Sequence, residues 1–376
     1  MIIIGVDGNE ANIKDKVGVN VYAFELLCSI YKLQDEWKGR YKFVIYLQDQ
    51  PRKDLPKETG SWEYKVKPGR GLWVITRLMP ELFFGKPQPD VFWTPSHYLP
   101  PFSPMPKMCS IMDLGYLKFS AQFKKYDFWQ LKLWTAWSLL VSKRVIAISE
   151  STLKDIVRHY PFSVRKIRVT QLGYDRGKFN LNISERNVRL IKKKYSLKHY
   201  VLFLSTLKPS KNVVGLVEAW VKILNKYPDF KLVIGGKKGW MYAKIFESVK
   251  KLSLEDKIIF TGFVPEAEKP ALIKGAAVFI MPSFWEGFGI DVLSAMACGV
   301  PVVVSNQGSL PEVVGKSGIV VDPYDVTSMA TGLDKVLSMS TSEYNKLVKK
   351  QLAHAENFSW EKTARKTLEV LEELTK

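Results

Sequence analysis

The sequence predicts two doubly wound α/β domains, each with a parallel sheet, and three observations carry that prediction. Short β-branched runs recur along the chain, helix-length amphipathic stretches separate them, and the runs themselves are nearly all apolar. Alternation of the first two kinds marks βαβ units. Near-continuous apolarity marks strands covered on both faces, as parallel strands are. At about 100 to 200 residues per domain, a chain of 376 residues holds two cores.

The first series of expected strands covers residues 2–6, 43–47, 91–94, 108–112, 144–148 and 167–170. A second covers 201–205, 231–234, 257–261, 277–281, 302–305 and 318–321. Between them, residues 173–199 are polar, charged and poor in apolar periodicity, and are expected to link the domains. The domains are then 1–175 and 176–357, followed by a helical segment over 358–376. In such domains ligands bind at the carboxyl ends of the strands, so the chemistry is expected in the loops that follow them.

Composition excludes several classes. With 46% hydrophobic and 25% charged residues and only 3 cysteines, the chain is not disordered, collagenous or a disulfide scaffold. Cys28, Cys109 and Cys298 form no CxxC pair, which fits a reducing cytoplasm and argues against structural zinc. The opening residues meet an acid by Asp7 and have no basic region, so they read as a strand rather than a signal peptide. No apolar stretch is long enough to span a bilayer. A soluble or peripheral protein is expected.

The net charge is +19, from 56 Lys+Arg against 37 Asp+Glu. Nucleic acid, an anionic membrane surface and a phosphorylated small molecule are all compatible partners. The basic residues are dispersed and no helix-turn-helix, RRM or zinc-finger pattern occurs, which disfavours specific nucleic-acid binding. No Asp-x-Asp or His-Glu-x-x-His occurs, and the histidines at 97, 159, 199 and 354 lack ligand spacing, so neither a metal nor a cofactor is expected. Residues 119–144 mix bases with Phe123, Phe128, Trp129, Trp134 and Trp137. Two readings stay open for this helix: it lies on an anionic bilayer, or it packs in the first core with its lysines snorkelling.

The loop 282–289 reads Pro-Ser-Phe-Trp-Glu-Gly-Phe-Gly between an expected strand and an expected helix ending at Ala297. Free N–H groups and the positive dipole end make a helix start an anion site, and glycines let a phosphate come close. Glu286 would repel a phosphate; it suits sugar hydroxyls, or positive charge developing in a transition state. The plain alternative is an exposed acid that favours the helix dipole. Lys211 is read as opening a helix after a strand, where a lysine opposes the dipole and calls for an anion; the plain alternative is a solvated lysine.

These segments are similar to the signature block of family 4 glycosyltransferases: Glu286-Gly287-Phe288-Gly289, Ala295-Met296-Ala297-Cys298-Gly299-Val300-Pro301, and Gly308-Ser309-Leu310-Pro311-Glu312. Gly18-Val19-Asn20, Asp113-Leu114, Ala147-Ile148-Ser149-Glu150-Ser151, Pro209-Ser210-Lys211-Asn212 and Gly262-Phe263-Val264-Pro265 follow the family in order, so the resemblance spans nearly the whole chain. It implies the GT-B fold and metal-independent, retaining transfer of a hexosyl unit from a nucleotide diphosphate sugar to a glycan or lipid-linked acceptor. It implies that the first domain binds acceptor and that the last helix crosses back onto it. Glu286 would contact the donor sugar and the backbone of Gly287, Phe288 and Gly289 the distal phosphate, with Ile290 also among the donor-binding residues. Lys211 would neutralise the diphosphate, Gly18 would admit donor and acceptor, and Val264 would lie near the base.

Three positions depart from the family pattern. Ser294 stands where a second glutamate holds the nucleotide ribose, and Asp291, on the same expected helix face, is its candidate substitute. Ser210 stands where many members have arginine, with Lys208 nearby to restore the charge. Met112, before Asp113, replaces a donor-contacting histidine, and His97 is the nearest replacement. The expected catalytic set is therefore Glu286, Asp113 and His97. Trp73, Trp93 and Tyr98 read as packing residues or acceptor-side aromatics. The alternatives to transfer are a catalytically impaired nucleotide-sugar-binding protein, a nucleotide-sugar epimerase or a nucleic-acid binder.

Overall fold

The computed structural model describes residues 1–375 and separates into two units. Unit 1 runs from Met1 to Gly173 and includes the C-terminal helix; unit 2 is Tyr174–Ser359.

Among the described residues, unit 1 holds a seven-stranded parallel sheet ordered β3-β2-β1-β4-β5-β6-β7. Its strands are β1 (Ile2–Asp7), β2 (Tyr41–Leu47), β3 (Trp62–Val66), β4 (Val91–Thr94), β5 (Lys107–Ile111), β6 (Arg144–Ala147) and β7 (Ile167–Val169). β1 pairs with β2 from Ile2↔Tyr41 and with β4 from Ile4↔Val91. The sheet is thus extended in opposite directions from β1, which makes a topological switch between β1 and β4. Helix α1 (Val19–Lys32) buries Tyr22, Leu26, Leu27 and Ile30. At the β3 edge, Trp37, Phe43 and Trp62 pack with neighbouring ring centroids 5.1 Å apart.

Residues 119–144 do not form the single helix expected. A one-turn helix at Gly115–Lys118 and a 3-10 turn at Ser120–Gln122 lead into extended Phe123 and Lys124, and only then does α2 (Lys125–Val141) begin. Its buried residues are Thr135, Ser138 and Leu139. The core reading therefore holds for Leu139, which is buried, and for Phe123, Phe128 and Leu131, which pack against the core, but fails for Trp129 and Trp137, which are exposed.

Among the described residues, unit 2 holds a six-stranded parallel sheet ordered β10-β9-β8-β11-β12-β13. The strands are β8 (His199–Leu204), β9 (Phe230–Gly235), β10 (Ile258–Gly262), β11 (Val278–Met281), β12 (Val302–Ser305) and β13 (Ile319–Val321). Here β8 is the pivot, paired with β9 and β11. Two expectations need correction. The stretch 173–199, expected as a linker, contains α3 (Glu185–Lys194), which has Ser184 as its N-cap and anchors through buried Val188 and Ile191. Strand β3 was not expected at all. Helices α4 (Val213–Leu224) and α5 (Ile290–Ala297) follow β8 and β11.

The last helix, α6 (Trp360–Thr375), belongs to unit 1. Trp360 lies 6.4 Å from the Tyr22 ring of α1, and Glu373 takes ion pairs from Arg144 at 2.6 Å and Arg168 at 2.8 Å. Each strand expected from the sequence forms, with ends within two residues of those expected.

Candidate active site

The strongest site is at the carboxyl ends of β8 and β11, the switch point of unit 2, where an open α/β sheet leaves room for a ligand. After β8, a 3-10 turn at Pro209–Lys211 is followed by Asn212 in the left-handed region (φ +53°), and α4 starts at Val213. After β11, the loop 282–289 ends on Gly289 at φ +103°, which caps α5. The two loops are joined by Phe284 N–H donating to Ser210 O at 2.9 Å. They bring Lys211 and Glu286 into an ion pair, with side chains only 11% and 16% exposed. The solvated-lysine and exposed-acid readings are thereby replaced by one enclosed pair. Each charge has been taken out of water and is compensated mainly by the other, so removing either one is costly.

The loop that carries Glu286 is held from behind by the segment after β12. Gly308 has φ +62°, and a Cβ there would lie 2.6 Å from Glu286 O. This closeness lets Ser309 donate through Oγ to Glu286 O (3.0 Å) and Phe288 O (2.9 Å), with a further bond from its own N–H to Glu286 O (3.2 Å). Ser305 Oγ donates to Ser283 O at 2.6 Å. On the other loop, Asn212 Nδ2 donates to Pro323 O at 2.7 Å. Gly308 and Ser309 were visible in the sequence as a motif, but their positioning role was not; a hydroxyl two residues from a proline carries no signal for it. Phe284 stacks on Tyr324 at 4.8 Å.

The remaining expected donor residues are near this pair but differ in access. Lys208 closes the 3-10 turn through its carbonyl, which accepts from Lys211 N–H at 3.0 Å. Gly287 and Ile290 are half-buried, whereas Phe288 is buried and packs edge-on against Phe358 at 6.0 Å. Val264 is buried at the turn after β10. Asp291, in the first turn of α5, is one-third exposed and lies 4.0 Å from Lys269 Nζ. Burial raises its pKa, against the pull of Lys269. Ser294 does not share that exposure: it is fully buried, and its Oγ has no hydrogen-bond partner among the described residues. One turn of helix thus carries it from the rim occupied by Asp291 into the packed side of α5.

In unit 1 the corresponding loops hold a different set. Gly18 (φ +53°) precedes α1, with open space where a Cβ would be. His97, after β4, has its Nε2 buried without a hydrogen-bond partner among the described residues, and burial lowers its pKa to about 4. Asp113, after β5, is exposed and accepts from Gly115 N–H at 2.7 Å, starting the short helix there. Trp73 and Trp93 are buried packing residues, and Tyr98 is half-buried. Sequence reasoning missed Asp7 and Asp155. Asp7, at the end of β1, accepts from Asn9 Nδ2 at 2.8 Å, and burial raises its pKa to about 7. Asp155 is pushed up to about 6 by burial and by the charge of Asp113.

Known proteins match both the sequence of unit 2 and the architecture of the whole chain. Residues 185–354 match the family described as Glycosyl transferases group 1. The O-antigen chain mannosyltransferase B of Escherichia coli is 33% identical over 236 residues, 61% of this chain and 61% of that protein. The D-inositol 3-phosphate glycosyltransferase of Paenarthrobacter aurescens is 28% identical over 233 residues, 60% of this chain and 56% of that protein. The chain thus spans about three fifths of the length of these relatives. Among solved structures, sucrose-phosphate synthase from Thermosynechococcus elongatus has a TM-score of 0.76 at 19% identity, over 100% of this chain and 99% of that one. Anabaena HepE in complex with UDP and glucose has a TM-score of 0.76 at 17% identity, over 100% of both chains. The protein has the GT-B fold, and the stretch of its second unit that matches the glycosyl transferases group 1 family holds both Lys211 and Glu286.

Proposed function

We propose that the protein is a retaining, metal-independent hexosyltransferase of the family 4 type, moving a mannose- or glucose-type unit from a nucleotide diphosphate sugar to a hydroxyl of a glycan or lipid-linked acceptor. The observation that carries this reading is the enclosed Lys211–Glu286 pair at the β8/β11 switch point, beside the start of α5. A neutral pair costs an incoming anion little repulsion, unlike a lone carboxylate. When a donor binds, the Lys211 ammonium takes the diphosphate together with backbone N–H groups of residues 287–290, which lie at the positive end of α5. Glu286 then accepts hydrogen bonds from sugar hydroxyls and balances positive charge developing at the anomeric carbon. As the glycosidic bond to phosphate breaks, the leaving diphosphate stays on Lys211 and the helix start. Lys208 adds positive charge to this site, Asp291 takes the ribose-side position that buried Ser294 leaves, and Val264 borders the base.

Unit 1 supplies acceptor recognition; in loops at its own strand ends, Gly18 admits donor and acceptor, and His97 and Asp113 complete the catalytic set with Glu286. His97 acts as a neutral imidazole, in keeping with its lowered pKa. The names of the E. coli relative and of the UDP-bound Anabaena structure support a nucleotide-sugar donor and make mannosyl and glucosyl donors the first to screen.

The test is a panel of UDP- and GDP-hexoses assayed for binding and for nucleotide release, with and without glycan and lipid-linked acceptors, in the presence of EDTA. We expect one donor to turn over with acceptor, insensitive to the chelator, with the anomeric configuration kept in the product. If no nucleotide sugar binds at millimolar concentration, the transferase reading fails. Binding with no turnover on any acceptor would instead identify a nucleotide-sugar-binding protein.

A further inference from the structure

Helix α2 of unit 1 is apolar on two sides: Leu139 is buried and Phe128 and Leu131 pack against the core, yet a second apolar stripe faces outward. Its buried residues include Thr135 and Ser138, while Tyr126, Trp129, Leu133, Trp137 and Leu140 are exposed by 75, 52, 64, 39 and 54%. Successive steps of three and four residues place these five on one stripe of the helix. Hydrogen bonds fix that orientation: Ser138 Oγ donates to His97 O at 2.5 Å, and Trp134 Nε1 donates to Leu99 O at 3.0 Å. Rotating the helix to bury this outer stripe would break both. Phe102 is 62% exposed and extends the stripe, with its ring edge-on to Trp137 at 6.2 Å. Beyond it, Phe83, Phe102, Met105 and Val141 line a depression of about 490 Å³ together with Lys107 and Lys143.

The charge around this stripe is predominantly positive. Residues 115–149 hold six Lys and Arg against a single acid, Asp127. Lys118, Lys124, Lys125 and Lys143 are exposed, and the Lys132 ammonium lies 4.9 Å from the Trp129 ring centroid, at the border of the apolar stripe. Among the described residues no helix is long and apolar enough to cross a membrane. An aromatic stripe bordered by lysines complements the boundary between anionic headgroups and acyl chains, where Trp and Tyr sit favourably and each lysine is attracted to lipid phosphate. A second copy of the chain fits less well, because a two-fold contact would set the same lysine-rich border against itself.

We propose that α2 and Phe102 form a docking face for an anionic lipid bilayer, with Trp129, Leu133 and Trp137 entering the headgroup–acyl boundary and the lysines resting on lipid phosphates. The proposal does not rest on sugar transfer, and its test reads partition alone. The full chain would be sedimented with phosphatidylcholine vesicles, with and without phosphatidylglycerol, at low and high salt, beside W129E/L133E and K124E/K125E variants. The wild type should bind only the anionic vesicles and be released by salt. Each double variant should lower partition by about tenfold or more while keeping the wild-type melting temperature, since the replaced side chains face out. Failure to bind anionic vesicles, equal binding to neutral ones, or binding indifferent to W129E/L133E would overturn the proposal. A wild-type dimer that W129E/L133E converts to a monomer would assign the face to a second copy instead.

Discussion

The two units share a topology yet treat charge at their switch points in opposite ways. At β8/β11, Lys211 and Glu286 are enclosed together and compensate one another. At β1/β4, Asp7 and His97 are each enclosed without an opposite charge to balance them among the described residues, and burial moves their pKa values to about 7 and about 4. Desolvation disfavours whichever form is charged, so a lone buried acid holds its proton and a lone buried imidazole sheds one. A doubly wound sheet therefore fixes where a ligand can sit; the loops decide whether that place carries usable charge. The group 1 match begins and ends within unit 2, the unit with the compensated pair.

The largest effect should come from breaking that pair. Glu286→Ala removes the proposed donor-sugar contact and leaves Lys211 buried without its partner. Turnover should fall by about 10²- to 10³-fold, and stability by roughly 3 kcal/mol, from the uncompensated charge. The double variant Glu286→Leu/Lys211→Met separates these losses: apolar residues of similar volume should restore most of the stability without restoring turnover. Melting curves and nucleotide release on the same samples would show it. A double variant as unstable as the single one would mean that the pair is not compensated as described.

The other switch point should respond to pH. The folded-state pKa of Asp7 is raised from 3.8 to about 7, so folding favours its protonated form. That contribution is complete below the unfolded pKa, near 4, and is lost as pH rises through 7. Asp7→Asn keeps an oxygen to accept from Asn9 and has no charge to desolvate. Relative to the wild type it should be neutral at pH 4 and more stable at pH 8, by about 2 kcal/mol after discounting the linkage value for relaxation. Urea unfolding at both pH values measures the difference, and a pH-independent gap would place the Asp7 carboxylate in water.

Below these effects comes the backbone contact behind Glu286. A Cβ on Gly308 meets Glu286 O and N at 2.6 and 2.9 Å, and the residue is at φ +62°. Gly308→Ala should cost about 2 kcal/mol and weaken donor binding, because the Glu286 loop must move to admit the methyl group. Calorimetric melting with and without donor separates the two.

How much of this was legible in the sequence depended on how each residue meets its neighbours. Strands in the middle of a parallel sheet are apolar on both faces, so runs such as 302–305 could be read directly. Edge strand β3 alternates Trp62-Glu63-Tyr64-Lys65-Val66, with only Trp62 fully enclosed, and resembles a loop. Helix α3 buries only Val188 and Ile191 among its charges, too few for a periodic signal. In α2 the aromatic content was plain, but periodicity does not say which side of a helix meets the sheet. Thr135 and Ser138 are buried beside Leu139 and the Phe128 ring packs against the core, while Trp129 and Trp137 face out. At the site, Glu286 and the glycines were legible as a motif, and Lys211 by its place after a strand. Their enclosure as a pair required the register of two loops separated by 75 residues in sequence.

The smallest expected effect tests whether unit 2 needs that register held tightly. Ser309→Ala removes the hydroxyl that reaches both Glu286 O and Phe288 O but keeps the backbone bond from Ser309 N–H to Glu286 O. One lost hydroxyl contact at a buried carbonyl pair costs about 1 kcal/mol, so the melting temperature should drop by only a few degrees. Ser309→Thr retains the hydroxyl and serves as the control. If the hydroxyl serves only packing, the two kinetic constants should be unchanged in both variants. If it holds Glu286 where the sugar is gripped, Ser309→Ala should lower kcat by about five- to tenfold with KM nearly constant, while Ser309→Thr keeps both. An unchanged kcat in Ser309→Ala would make the loop a passive support and leave the positioning of Glu286 to Lys211 and Gly308.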